Sequence, residues 1–440
     1  MRWPEGRAGL ALAAALALAG AAAALQRPTR PAVPFPDDDG ETPAVFRRYA
    51  AQVLKLQVVE VRSGAKQVTG SAFFVTPDGL ALTNYHVVAD LVQDPQLYRA
   101  EVLASDGRTT TVRVVAVDVV HDLAVVQTGL SPAGWFRLAP LTIAQGLRLY
   151  ALGHPGDLGI AIVEGTYNGR LPHTLYPRIH FTGSINPGMS GGPTITLDGR
   201  VVGINVATAG NQQSFLVPVD DAIALLARSA AAGPPPLSSL LADVGRQLLA
   251  YQDTYLARLF ADPVPTVRLG AWTLPTEPSD IFNCWGETDD APDRPYTITH
   301  HYCSTGDDVF LSSEQSSGII EFEHDLIESE QLGRLRFAAL YTRELRALAM
   351  EWGLDREGDE DVTGYRCRAG NVRRGALVMK AVLCLRRFKR LPGLYDAVLR
   401  VAALGERAAG VVTTLTLSGV SAENAERVAL RYATAIGRAP

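Results

Sequence analysis

Short apolar runs, many alternating with polar residues, fill the chain from about residue 53 to residue 222. They predict strands at 53–61, 71–75, 111–117, 123–127, 148–152, 178–182, 201–206 and 214–217. Turn signals such as Pro77-Asp78-Gly79 and Asp198-Gly199-Arg200 separate them. Many short strands at this density describe a sandwich or a pair of barrels. The period then changes. Leu237, Leu240, Leu241, Val244, Leu248, Tyr255 and Leu259 recur on one face of a long helix, with Ser238 or Ser239 as its cap. A second helix fits 335–352, a hairpin fits 397–404 with 411–417, and a last helix begins after Ser421. The prediction is an all-β first domain over 45–227 and an α+β module over 240–440. A linker over 228–239, rich in Ala and Pro, joins them.

The N-terminus reads differently. After Arg2 and Arg7, residues 8–25 are uncharged and dominated by Ala and Leu, ending in small residues. This is the pattern of a signal peptide over 1–25, cut near residues 22–24. An uncleaved membrane anchor is the alternative, because the run nearly reaches the ~20 residues of a span. Residues 26–44, rich in Pro and Asp, are expected to be a disordered tether. The predicted destination is the periplasm or the exterior.

Composition narrows the function classes. The chain has 440 residues, 47% hydrophobic and 20% charged, with a net charge of -5. It has the apolar material for real cores and no bulk positive charge for nucleic acid. Cys284, Cys303, Cys367 and Cys384 are its only cysteines, and in an oxidising compartment they read as two disulfides. Four cysteines allow three pairings. We expect the sequence-local one, Cys284 with Cys303 and Cys367 with Cys384. His300 and His301 beside Cys303 leave a zinc site as the alternative, against which the lack of a C-x-x-C spacing counts. Arg366, Arg368, Arg373, Arg374, Lys380, Arg386, Arg387, Lys389 and Arg390 form a basic cluster after an acidic run over 355–361. It reads as a solvated face, or as a docking surface for an acidic partner or envelope polymer.

Three segments of the first domain carry chemistry: Thr83-Asn84-Tyr85-His86-Val87-Val88, His121-Asp122-Leu123-Ala124 and Asn186-Pro187-Gly188-Met189-Ser190-Gly191-Gly192-Pro193. A serine nucleophile needs a base for its proton, a carboxylate to orient that base, and N–H groups aimed at the developing oxyanion. The glycines around Ser190 allow the backbone to present such amides. Asp118, four residues before Asp122, competes for the carboxylate role. His121 and His154 lie outside the matching context and read as structural or exposed.

These segments resemble the trypsin-like serine proteases of the HtrA (Deg) type, over about residues 50–222. Gly70-Ser71-Ala72-Phe73 through His86 is similar to the family's strand-turn-His segment, and Asp122-Leu123-Ala124-Val125-Val126 to its Asp segment. Gly153-His154-Pro155-Gly156 and the run from Ser184 to Pro193 resemble further family segments. The resemblance implies a double β-barrel of chymotrypsin type. It implies His86 as general base, Asp122 as its orienting carboxylate and Ser190 as nucleophile, with the amides of Gly188 and Ser190 as oxyanion hole. It puts Ser184 at the floor of the substrate pocket and Phe215 and Leu216 along its wall, which suits small or medium apolar side chains. Met189 departs from the family, where Asp or Asn precedes the nucleophile, and is read as an ordinary turn residue. Nor does the chain after Pro236 resemble the family's PDZ domains, so neither PDZ regulation nor trimerisation is carried over.

The expectation is an exported serine endopeptidase acting on polypeptides through an acyl-enzyme, with no cofactor. Two alternatives stand beside it: a protease-fold binding or chaperone module, and a latent protease that a partner activates. Oligomeric state is not readable.

Overall fold

Hydrophobic alternation builds two barrels, and the residues between their strands build the site. The computed structural model describes residues 40–439 other than 211, 233–235, 261, 262, 292 and 352–356, and not the side chains of 207–209, 231, 232 and 347–351. The expected signal peptide and the tether up to residue 39 lie outside the described residues. The last tether residues enter a helix, α1 (Glu41–Tyr49).

The first closed barrel comprises β1 (Val53–Glu60), β2 (Lys66–Phe74), β3 (Leu80–Thr83), β4 (Tyr98–Leu103), β5 (Thr109–Asp118) and β6 (Leu123–Gln127), in the order β1-β2-β3-β6-β5-β4. Helix α2 (Tyr85–Gln93) follows β3 directly. The second barrel comprises β7 (Arg148–Gly153), β8 (Ala161–Arg170), β9 (Ile179–Phe181), β10 (Pro193–Ile195), β11 (Val201–Gly210) and β12 (Gln213–Pro218), in the order β10-β11-β12-β9-β8-β7. This is the double barrel expected from the sequence. Because side chains alternate across a strand, Ala72 and Phe74 enter one core while Phe73 and Val75 enter another, shared with Tyr150, Leu152 and Ile204 of the second barrel. Strand β6 is likewise buried on both sides, Ala124 and Val126 in the first core and Leu123 and Val125 in the second, which is why Leu123-Ala124-Val125-Val126 is apolar without a break.

Helices α3 (Val219–Ala232) and α4 (Leu237–Leu259) lead into the second half. The N-cap of α4 is Pro236, with no side-chain cap; the Ser239 hydroxyl donates back to the Pro236 carbonyl at 2.7 Å. Beyond it lie β13 (Thr266–Leu269), β14 (Trp272–Pro275), β15 (Asn283–Asp289), β16 (Thr297–Ser304), a hairpin of β17 (Val309–Ser312) and β18 (Gln315–Ser317), and β19 (Ile320–Glu328). There follow α5 (Arg334–Glu351), β20 (Arg366–Arg374), β21 (Leu377–Arg387), β22 (Tyr395–Ala403), β23 (Ala409–Val420), α6 (Ala422–Ala435) and β24 (Gly437–Arg438). Seven of these strands form one antiparallel sheet, β15-β16-β19-β23-β22-β21-β20. Helix α5 packs on the face that carries Ile298, Ile327 and Val412. The opposite face, with Phe322, Leu399 and Leu415, shares a core with α4, α6 and the first barrel. Ser421 caps α6, its hydroxyl accepting the Asn424 N–H at 3.1 Å.

The disulfides are Cys284–Cys303 and Cys367–Cys384. Each joins residues directly opposite one another, the first across β15 and β16 and the second across β20 and β21. Each thus ties an edge strand of the sheet to its neighbour.

Candidate active site

The imidazole is placed by a helix start. Asn84 is the N-cap of α2 but makes no side-chain cap; its Nδ2 donates instead to the Asp122 carbonyl at 2.8 Å. The capping acceptor comes from the Asp122 carboxylate, whose Oδ1 accepts the His86 N–H at 2.8 Å. A negative group at a helix N-terminus is doubly favoured, by the orphan amides and by the macrodipole. The other oxygen, Oδ2, lies 2.6 Å from His86 Nδ1. One carboxylate therefore fixes both the backbone and the ring of His86. Asp122 sits in the tight turn between β5 and β6 with φ 54°, a left-handed conformation that Asp tolerates better than most residues. Burial disfavours the His86 cation, but the Asp122 charge and hydrogen bond outweigh it and raise the pKa above 6.5.

Asp118 does not reach His86. Its Oδ1 lies 3.0 Å from His121 Nδ1, and its Oδ2 accepts from Arg228 Nη2 at 2.9 Å. His154 gives its backbone N–H to Ser71 Oγ at 2.8 Å, and burial lowers its pKa.

The Ser190 turn is clamped from several sides. Ser71 N–H donates to the Ser190 carbonyl at 2.7 Å, and Ser71 Oγ donates to the Gly188 carbonyl at 2.8 Å. Gly191 and Asn205 exchange backbone bonds with the turn, from Gly191 N–H to the Asn205 carbonyl and from Asn205 N–H to the Gly192 carbonyl, each 2.9 Å. Asn205 Nδ2 adds bonds to the carbonyls of Leu152 at 3.0 Å and Met189 at 3.2 Å. Glycine is required for space: a Cβ on Gly192 would meet the Leu152 oxygen at 2.1 Å. Gly188 has φ +93°, which excludes most other residues. The Pro187 carbonyl accepts from Gly156 N–H at 3.1 Å. The Gly188 N–H, antiparallel to that carbonyl in a trans peptide, points the other way. Neither Gly188 N–H nor Ser190 N–H has an acceptor among the described residues.

Met189 is more than a turn residue. Its side chain is fully buried inside the second barrel with Leu149, Phe181, Ile185 and Leu216. It anchors the loop by packing.

The Ser190 hydroxyl donates to the Val206 carbonyl at 2.9 Å, and among the described residues no hydrogen bond joins it to His86. Ser184 is exposed, and Phe215 is half-buried. Leu216, expected along the pocket wall, is wholly buried in the core of the second barrel. The reason is the period of β12, which turns Leu216 inward where Phe215 turns out. Sequence reasoning also missed Asn84, Arg178 and Phe310. Phe310, on β17, meets the His86 ring edge-on with centroids 5.9 Å apart, and no local motif marks it.

Two closed barrels, with His86 and Asp122 joined beside the Ser190 turn, describe a trypsin-like peptidase domain. Residues 70–204 match the family model of that description, the trypsin-like peptidase domain. The chain is similar to a DegP-like periplasmic serine endoprotease of Halomonas elongata, 32% identical over 216 residues, or 43% of this chain and 42% of that one. It is also similar to the mitochondrial serine protease HTRA2 of Bos taurus, 34% identical over 161 residues, or 34% of each chain. Among solved structures it resembles the serine endoprotease from Yersinia pestis at 24% identity, covering 44% of this chain and 68% of that one with a TM-score of 0.38. The chain thus spans less than half the length of these curated relatives. The family-model match ends at residue 204, before the C-terminal module begins.

Proposed function

We propose that the chain is an exported serine endopeptidase that cuts polypeptides through an acyl-enzyme. The observation that carries this reading is the single Asp122 carboxylate holding both ring and backbone of His86, next to a serine turn with two unpartnered amides. Ser190 Oγ attacks the scissile carbonyl carbon while His86 Nε2 takes its proton. Asp122 keeps the proton on Nδ1 and stabilises the imidazolium. The tetrahedral oxyanion accepts from the Gly188 and Ser190 amides. His86 then protonates the leaving amine, and the C–N bond breaks. A water enters, gives a proton to His86 and releases the acid, and Ser190 regains its hydrogen. No cofactor is called for.

A serine at position 184, where a carboxylate would be needed to pair with Arg or Lys, supports a preference for small or medium apolar side chains. The charge-free stretch over 8–25 and the periplasmic Halomonas relative support export. Among the described residues no helix is long and apolar enough to cross a membrane. The acidic-partner reading of the basic cluster narrows. Arg386 binds Asp396, and Arg390 binds Asp94 and Asp361. Arg366, Arg373, Lys380 and Arg387 keep no side-chain ion pair among the described residues.

One observation favours a second reading, a latent protease: the Ser190 hydroxyl rests on the Val206 carbonyl and must turn to reach His86. The test for both is labelling of chain lacking residues 1–25 by a fluorophosphonate probe, beside Ser190→Ala. Labelling that Ser190→Ala abolishes is the expected result. A folded protein that labels only after a partner is added would select the latent enzyme, and none under any condition would sink the hydrolase reading.

A further inference from the structure

The C-terminal module takes no part in the chemistry above, yet one short segment of it reaches the site from two sides. On β17, Val309 and Leu311 point into the core shared with the first barrel. The Leu311 carbonyl accepts from Gln93 Nε2 at 2.6 Å and from Tyr85 Oη at 3.4 Å, both on the helix that carries His86. The alternation of the strand then turns Phe310 outward, half-buried, with its ring edge-on to the His86 imidazole at 72°. Three residues earlier, Asp307 binds Arg178 through Oδ1 to Nη1 at 2.9 Å and accepts the Leu175 N–H through Oδ2 at 3.2 Å. The Asp308 carbonyl accepts from Tyr176 Oη at 3.1 Å. Held this way, the Arg178 guanidinium lies 4.5 Å from the Tyr176 ring centroid and 5.8 Å from that of Phe215. The β17–β18 hairpin is itself fastened down. Ser316 Oγ donates to Asp308 Oδ2 at 2.5 Å, Ser418 Oγ to the Ser316 carbonyl at 2.8 Å, and Ser317 Oγ to the Gly419 carbonyl at 3.1 Å.

We propose that this segment is a fixed part of the substrate cleft. Phe310 forms the wall of the subsite that borders the imidazole and takes an apolar side chain next to the scissile bond, and Asp307 is a positioning residue that holds Arg178 against Phe215. The argument is geometric. A scissile peptide bond must lie within reach of both Ser190 and His86, so a substrate residue flanking it passes over the imidazole. A half-exposed aromatic ring, held at that edge by a strand whose neighbours are buried, offers that residue an apolar contact. On the other flank the Arg178 charge is balanced by Asp307, so it orders the Phe215 wall without presenting a free cation to the substrate.

The inference rests on the serine-endopeptidase reading. Its test uses the full chain lacking residues 1–25, with Phe310→Ala, Phe310→Leu and Asp307→Asn, each checked for folding by thermal melting. Two rates are compared: labelling by a small fluorophosphonate, which reads Ser190 and His86, and cleavage of a peptide library randomised on both sides of the scissile bond. In Phe310→Ala, cleavage should fall about 10-fold more than labelling and the apolar preference at a flanking position should flatten. Phe310→Leu should restore part of both, which also covers failure of the Ala variant to fold. Asp307→Asn should raise KM about 10-fold with a smaller change in kcat. A library profile of folded Phe310→Ala or Phe310→Leu that matches the parent, with the parent labelled and active, overturns this inference alone. A parent that never labels removes the endopeptidase reading, and the inference with it.

Discussion

His86 is held by one partner in two ways, and that decides how its chemistry responds to pH. In the proposed reaction the neutral imidazole is the base, so activity should fall away below the imidazole pKa and rise as pH climbs through it. Burial acts to lower that pKa and Asp122 to raise it, with Asp122 prevailing. The pH profile of fluorophosphonate labelling should therefore have its midpoint above 6.5, the ordinary value for histidine. In Asp122→Asn only the burial effect remains: the midpoint should move down, and the plateau rate should fall by roughly 10³–10⁴. Met189 belongs to the same scale. Its side chain holds the loop by packing inside the second barrel, so Met189→Asp would bury an unpaired carboxylate. Urea denaturation should report a loss of about 3 kcal/mol or more, whereas Met189→Leu should cost less than about 1.5 kcal/mol. From the sequence His86, Asp122 and Ser190 are legible because each sits in a short motif. Neither the burial of Met189 nor the inward face of Leu216 is, because one depends on how a turn folds onto the second barrel and the other on which side of a strand meets its core.

At the scale of elements, strands with strong apolar content are readable and those without are not. The run Leu123–Gln127 is predicted to the residue and observed as β6. Four barrel strands escape prediction. The longest, β8, contains Gly165 and Gly169 and is half-buried along most of its length, so it has no clean period of two. Strand β3 has only four residues. A Cβ on Gly165 would meet the Gly183 amide nitrogen at 2.3 Å, which gives a packing reason for a glycine inside a strand. In the C-terminal sheet each disulfide holds an edge strand. The Cys367–Cys384 bridge spans 17 residues of sequence, and a loop of that length corresponds to about 3 kcal/mol in the chain-entropy account. The double substitution Cys367→Ser with Cys384→Ser should lower stability by that order in urea denaturation of the full chain. An unchanged midpoint would mean that the cross-strand ladder alone holds the edge.

Across the whole molecule, the two halves share a core. Leu240, Val244 and Leu248 of α4 sit in one apolar cluster with Val114, Val117 and Tyr85 of the first barrel region. Gln247 of the same helix accepts the Val119 N–H at 3.0 Å and donates to the Val117 carbonyl at 2.9 Å, at the end of β5 and three residues before Asp122. Each large side chain buried there contributes about 1.5–3 kcal/mol. A chain ending at residue 232 would expose that surface, so it should aggregate in size-exclusion chromatography or label more slowly than the full chain. A monomer that labels at the full rate would show that the barrels stand alone. The sequence by itself determined the strands of strong period, the glycine turn of Ser190, the order His86, Asp122, Ser190 and the final capped helix, because each is encoded in residues close along the chain. Tertiary structure alone decided that Met189 and Leu216 turn into the second barrel, and that Asp307 and Phe310 stand at the site. The contacts of Asp307 with Arg178 and of Phe310 with His86 join residues more than 120 positions apart, and only the closing of a shared core brings them together.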